Sequence, residues 1–122
     1  DTLLLGSLAV AGATVGFLNA LQPQNVTVLA MGSPRGPDGD EDVACGDYMR
    51  ALLGGSETDA SEIVRRVRES PAGLQALDPT LPWISPEDLA CAVDIDRFPF
   101  AMLVRREGDL LVARTVDPEA SQ

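Results

Sequence analysis

Carboxylate side chains crowd the start of one segment of this sequence. In "GPDGDEDVACGDYMRALLGG" (residues 36–55), five acids fall within ten positions: Asp38, Asp40, Glu41, Asp42 and Asp47. The apolar pattern that follows is typical of a helix, and each acid in a first turn stabilises a helix by about 0.3–1 kcal/mol. Carboxylates are also the ligands that Mg²⁺ prefers. Two interpretations are open: helix capping, with Asp38 and Glu41 at capping-box spacing, and one wall of a metal-dependent phosphate site.

Several other chemistries are excluded by residues that the chain lacks. It contains no histidine, so a Ser–His–Asp triad and an ordinary zinc centre are ruled out. The acidic run is not an EF-hand, because Val43 stands where that loop requires Gly and Met49 where it requires Glu. Neither GxGxxG nor GxxxxGK occurs. The remaining possibility is a site built from oxygen ligands.

The charge and the two cysteines indicate where the protein works. The net charge is −10 and all nine basic residues are arginines, which disfavours nucleic acid as a partner. Cys45 and Cys91 lie far apart without a CxxC spacing. We interpret them as buried small hydrophobes in a reducing compartment, and therefore predict a cytoplasmic protein.

The first third of the chain predicts a β-α-β unit. An apolar strand at 2–5 ends at Gly6-Ser7, a helix spans 8–21, and "NVTVLAMG" (25–32) has the β-branched composition of a second buried strand. This order predicts a right-handed parallel crossover. Residues 2–34 carry no charge, but interspersed Gly, Ser, Thr and Asn favour this buried unit over a membrane span. No contact with a membrane is expected.

The rest of the chain predicts helices and a final hairpin. Helices are expected from Asp59, with Ile63, Val64 and Val67 inward, and from Ser85; a hairpin is expected around residues 107–109. The predicted fold is one α/β domain over residues 1–116. It is a three-layer α/β/α structure with a mostly parallel sheet and a C-terminal β-hairpin, followed by a flexible tail at 117–122.

The predicted topology places a ligand site at the carboxyl ends of the strands, as is usual in open α/β sheets. These ends are Gly6-Ser7 and Gly32-Ser33, and the second leads into Arg35 and then the acids. Backbone N–H groups of the turn from Gly32 and Ser33 to Gly36 are candidates to bind phosphate, with Arg35 as its cation. Glu41 and Asp42 are the candidate Mg²⁺ ligands.

The combined pattern resembles a known family. The chain contains, in order, a strand ending in "GSL", a helix, "VTVLAMGSPRG" and "EDVACGDYMRALL". This order is similar to the C-terminal half of the 2-phosphosulfolactate phosphatase (ComB-like) family. Gly32, Arg35 and Gly36 match its glycine-rich turn, while Glu41 and Asp42 match its Glu-Asp helix start. The resemblance implies magnesium-dependent hydrolysis of a phosphate monoester on a small acid.

The chain also departs from the family pattern. Ala9-Val10 stand where the family usually has Asn, and Asp47 stands in place of a Gly. The family's N-terminal half is absent, so the resemblance implies either packing against that missing half or a homo-oligomer. The alternative hypothesis is a non-catalytic relative that acts as an interaction or regulatory module.

Overall fold

The computed structural model describes residues 2–32 and 39–119. Within these ranges lie three strands, a short 3-10 turn at Leu8–Val10 and five α-helices. The strands are β1 (Leu3–Leu5), β2 (Ala101–Glu107) and β3 (Leu110–Val116); the helices are α1 (Ala11–Leu21), α2 (Asp40–Leu53), α3 (Ala60–Glu69), α4 (Pro71–Gln75) and α5 (Pro86–Ala92). None of the described helices is long and apolar enough to cross a membrane.

The sheet is antiparallel, so the predicted three-layer α/β/α fold with a mostly parallel sheet is wrong. The strand order is β1-β2-β3, and β1 pairs antiparallel with β2, Leu3 lying opposite Val104 and Leu5 opposite Met102. The first strand therefore finds its neighbour about a hundred residues along the chain. Five helices and one small sheet replace the predicted parallel layer.

The segment that was expected to form the second strand has no regular structure. Residues 23–32 belong to no strand or helix, and Leu29 and Met31 are 74% and 82% exposed. A β-branched sequence favours extended backbone, but a strand is stable only beside a neighbour that completes its hydrogen-bond ladder. The described residues provide no such neighbour, so the pattern indicated a strand that the structure does not contain.

The C-terminal hairpin is confirmed. β2 and β3 pair continuously from Ala101 opposite Val116 to Glu107 opposite Leu110. Gly108 has a φ of +61°, a left-handed conformation that glycine adopts without steric cost. Of the predicted flexible tail, residues 120–122 lie outside the described part, whereas Pro118 lies close to Gly16 of α1.

Local sequence signals place the other helices correctly. Ser85 and Asp88 form a capping box at α5, and Pro86 occupies its first turn. The Asp59 side chain accepts from the Ser61 N–H at the start of α3, whose Ile63 and Val67 are buried as expected. At α2 the residue that precedes the helix is Gly39, which has no side chain to cap it. The predicted Asp38–Glu41 capping box depends on Asp38, which lies outside the described residues.

Helix α1 joins two apolar clusters. Ala11 and Val15 pack into the larger one, which is built from the helical layer together with residues such as Tyr48 and Ile63. Phe17 packs into the smaller one, against Ala101 and Leu103 of β2 and the half-buried Leu4 and Val116. The sheet is thus attached to the helices through the Phe17 side of α1.

Replacing Phe17 with Ala tests this arrangement. The side chain is only 6% exposed, so Phe17→Ala is expected to lower the free energy of unfolding by about 3–5 kcal/mol through lost burial and a cavity. Leu111→Ala, at a 62% exposed position, is the control and should change stability by less than about 0.5 kcal/mol. Urea unfolding measures both; equal effects would contradict the assigned role of Phe17.

Candidate functional site

A cleft of about 180 Å³ lies between the start of α1 and the start of α2. One wall is the turn that follows β1, formed by Gly6, Ser7, Leu8 and Ala9. The opposite wall includes the first-turn acids of α2, and the other lining residues come from three helices: Glu41, Asp42, Cys45, Val67 and Ala92. The Gly6–Ala9 turn, here called the backbone wall, and the first-turn acids of α2 thus share one cleft, whose lining is mostly apolar.

The structure brings together some of the predicted site residues. Glu41 and Asp42, the candidate metal ligands, lie in the same cleft as the predicted strand end Gly6-Ser7. This proximity does not come from a parallel sheet, since α1 and α2 pack directly against each other. Three predicted phosphate-binding residues, Ser33, Arg35 and Gly36, lie outside the described residues.

Gly32 is tied to the cleft through Asp42. The Gly32 N–H donates a 2.7 Å hydrogen bond to Asp42 Oδ2. Gly32 and Gly39 both have left-handed backbones, with φ of +59° and +45°. An added Cβ on Gly39 would lie 2.7 Å from the Gly32 Cα, so no side chain fits there. Gly32 and Gly39 thus meet at a close backbone contact beside Asp42 that a side chain on Gly39 would prevent.

The cleft carries negative charge without a cationic lining side chain among the described residues. Glu41 and Asp42 both line it, and Asp40 precedes them in the same turn. The described part of the chain contains no cluster of three or more His, Cys, Asp or Glu able to hold a metal ion. Mg²⁺ commonly uses only one or two carboxylates and completes its octahedron with water and substrate oxygens. The two carboxylates fit that requirement.

Cys45 also lines the cleft, one helical turn after Glu41 and Asp42, and sequence reasoning did not assign it to the site. Burial, and then the negative charge of Asp42, raise the pKa of the Cys45 thiol to about 11. A thiol with so high a pKa is protonated near pH 7, which disfavours Cys45 as a nucleophile.

Cys91 differs from the expectation that both cysteines are buried. It is exposed on α5, and the Arg97 guanidinium lies 3.8 Å from its sulfur. The helical pattern around it is correct, but α5 has only seven residues and buries a single one, Leu89. On so short a helix the side opposite Leu89 faces solvent.

Asp47 of α2 has a structural partner on α3. Two guanidinium nitrogens of Arg66 on α3 each lie 3.1 Å from Asp47 Oδ2, and Arg50 lies 3.8 Å from Oδ1. These groups are partly exposed, so the pairs add little to stability, typically below about 1 kcal/mol each. Asp47 links α2 to α3 and lies outside the lining of the cleft.

Sequence reasoning missed Asp96, which orders the backbone wall of the cleft. Its Oδ1 accepts a 2.6 Å hydrogen bond from the Gly12 N–H in the first turn of α1. The Asp96 N–H donates to Leu8 O, and the Phe98 N–H donates to Ala9 O, both at 3.0 Å. Asp96 thus caps the first turn of α1 through a residue 84 positions earlier, and local sequence patterns carry no signal for such a contact.

No protein-family model, curated protein or solved structure matches this chain. The chemistry of the cleft therefore has to be deduced from its own residues.

The reactivity of the two thiols tests the described environment of Cys45. With a pKa of about 11, only roughly one Cys45 in a thousand is a thiolate at pH 8, so iodoacetamide should alkylate the exposed Cys91 first. Asp42→Asn removes a negative charge and should lower the Cys45 pKa, which raises its alkylation rate. Mass spectrometry in a Cys91→Ser background measures that rate; a slower reaction in Asp42→Asn would contradict the assignment.

The Asp96 cap is tested by removing its acceptor. Asp96→Ala should lower the free energy of unfolding by about 0.5–2 kcal/mol, the usual cost of a lost N-terminal cap. Asp96→Asn keeps an oxygen acceptor and should cost less. Asp94→Ala, which removes an exposed carboxylate paired with Arg97, is the neighbouring control. Denaturant unfolding compares the three, and an effect of Asp94→Ala as large as that of Asp96→Ala would remove the special role of residue 96.

Proposed function

We propose that this chain supplies a Mg²⁺-binding cleft for the hydrolysis of a small, acidic phosphate monoester, as in the 2-phosphosulfolactate phosphatases that its sequence resembles. The observation that carries the proposal is the position of Glu41 and Asp42. Both line a cleft opposite the Gly6–Ala9 backbone, so a metal ligand pair and a candidate phosphate-binding turn face the same space.

Mg²⁺ fits the residues that are present. Glu41 and Asp42 would hold it, with Asp42 oriented by the hydrogen bond that its Oδ2 accepts from the Gly32 N–H. When bound, the ion would supply charge neutralisation of the phosphate and a lowered pKa for a coordinated water.

The backbone on the opposite wall suits an anion. Leu8 and Ala9 begin the helical run that leads into α1, and the first N–H groups of a helical run have no acceptor within it. Asp96 and Phe98 hold this turn in place through the Leu8 and Ala9 carbonyls. Arg35, outside the described residues, stays the predicted cation for the phosphate.

The partner and compartment proposals follow from charge and thiol content. A small phosphorylated acid fits a cleft of this size, whereas the net charge of −10 opposes nucleic acid. Two free thiols suit the cytoplasm, which we propose as the site of action.

A non-catalytic interaction module is the second candidate. It is favoured by the absence of a cationic side chain among the described residues that line the cleft, since Arg and Lys side chains commonly stabilise the charge of a transferring phosphoryl group. Binding of Mg²⁺ and phosphate to the cleft distinguishes the two.

Calorimetric titration with Mg²⁺ is the test of the proposal. We expect saturable binding to the parent protein and its loss in a Glu41→Gln, Asp42→Asn double variant. The Asn side chain retains an oxygen acceptor for the Gly32 N–H, so the fold should be preserved; circular dichroism checks this. Asp40→Asn is the matched control, because Asp40 shares the first turn but does not line the cleft.

Hydrolysis is measured next, with small phosphorylated acids as substrates and Mg²⁺ present. Turnover that is lost in the double variant and kept in Asp40→Asn would support the phosphatase. If the parent protein binds no Mg²⁺, or if the double variant binds as tightly as the parent, the proposal fails and the interaction module stands.

A further inference from the structure

Residues 23–31, here called the arm, are an apolar segment without backbone partners in the described structure. No backbone–backbone hydrogen bond within residues 2–32 and 39–119 involves them. Val26, Val28, Leu29 and Met31 are each at least 40% exposed. In a single molecule these N–H and C=O groups bind water, and they are available to form the hydrogen bonds of a strand ladder with another segment.

The arm is held at both ends and is not a loose end of the chain. Gln22 caps α1 before it, and the Gly32 N–H is bonded to Asp42 after it. In its middle, an added Cβ at Gly46 of α2 would lie 3.1 Å from Val28 Cγ1. None of its residues has a positive φ. The arm is therefore presented on the surface in a backbone region compatible with a strand.

Strand β1 offers the complementary surface. It lies at the edge of the sheet and pairs only with β2, so the backbone groups on its other side have no partner in the described structure. Leu3 and Leu5 are 51% and 47% exposed. Natural edge strands are usually protected by charges, proline or a bulge, and Leu3–Leu5 has neither a charge nor a proline.

The charge distribution favours a second copy of this chain as the occupant. Residues 2–34 carry no charged side chain, and they include both β1 and the arm, whereas the whole molecule has a net charge of −10. Two acidic molecules repel each other least where their contact surfaces are uncharged. One chain also supplies both an unpaired edge and an unpaired segment of strand-forming sequence.

We propose that two copies of this protein associate by reciprocal β-augmentation. The arm of each copy adds to the free edge of β1 in the other, so that both sheets become four-stranded. The arrangement is a closed two-fold dimer, because each copy gives one arm and receives one. It buries the exposed apolar residues of the arm without requiring the arm to leave its own anchors.

The oligomeric state is measured first, by sedimentation velocity over a range of protein concentrations. We expect a dimer, and at least tenfold weaker association in Leu29→Lys and in Leu5→Lys, since each places a charge in the new ladder. Leu77→Lys is the matched control, because Leu77 is similarly exposed at 55% but lies beyond α4. A monomeric parent protein, or equal weakening by Leu77→Lys, would overturn the proposal.

Disulfide trapping identifies which segments meet. In a Cys91→Ser background, a Leu5→Cys variant is mixed with a Leu29→Cys variant and oxidised, and the crosslinked peptides are identified by mass spectrometry. The expected product joins position 5 of one copy to position 29 of the other. Crosslinks that join only identical positions would show β1–β1 or arm–arm pairing and would contradict reciprocal exchange. Neither measurement involves Mg²⁺ or phosphate, so the outcome is independent of the proposed enzymatic role.

Discussion

Helix α1 packs on two sides at once and joins the helices to the sheet. Its Ala11 and Val15 face the helical cluster, and Phe17 faces the sheet. Small side chains on the first side let α2 approach closely. Within the described part of the chain, α1 is the main helical support of the sheet, and Phe17 is the aromatic side chain that fills this contact.

The start of α1 also shapes the cleft. Its 3-10 turn forms the backbone wall, and the loop that follows α5 fixes this turn through Asp96 and Phe98. The carboxylate wall is fixed separately, by the contact between Gly32 and Asp42. Two distant parts of the chain therefore hold opposite walls, and the cleft geometry depends on packing between helices more than on the sheet.

Local patterns predicted the helices and the hairpin but not the topology. The helix starts at Asp59 and Ser85 and the 107–109 turn could be predicted, because capping and turn formation are interactions between residues close in sequence. The parallel crossover failed because "NVTVLAMG" has strand composition, and composition cannot reveal whether a neighbouring strand exists. For the site, the acids of α2 stood out by charge and first-turn spacing, whereas Asp96 acts across 84 residues and no local rule points to it.

The pairing of β1 with β2 has a consequence for synthesis of the protein. Leu3 reaches its partner Val104 only after about a hundred further residues have been synthesised. Until then the uncharged segment 2–34, with its three consecutive leucines, has no sheet to join. A contact of such long range forms late, and the apolar sequence of β1 stays exposed until it does.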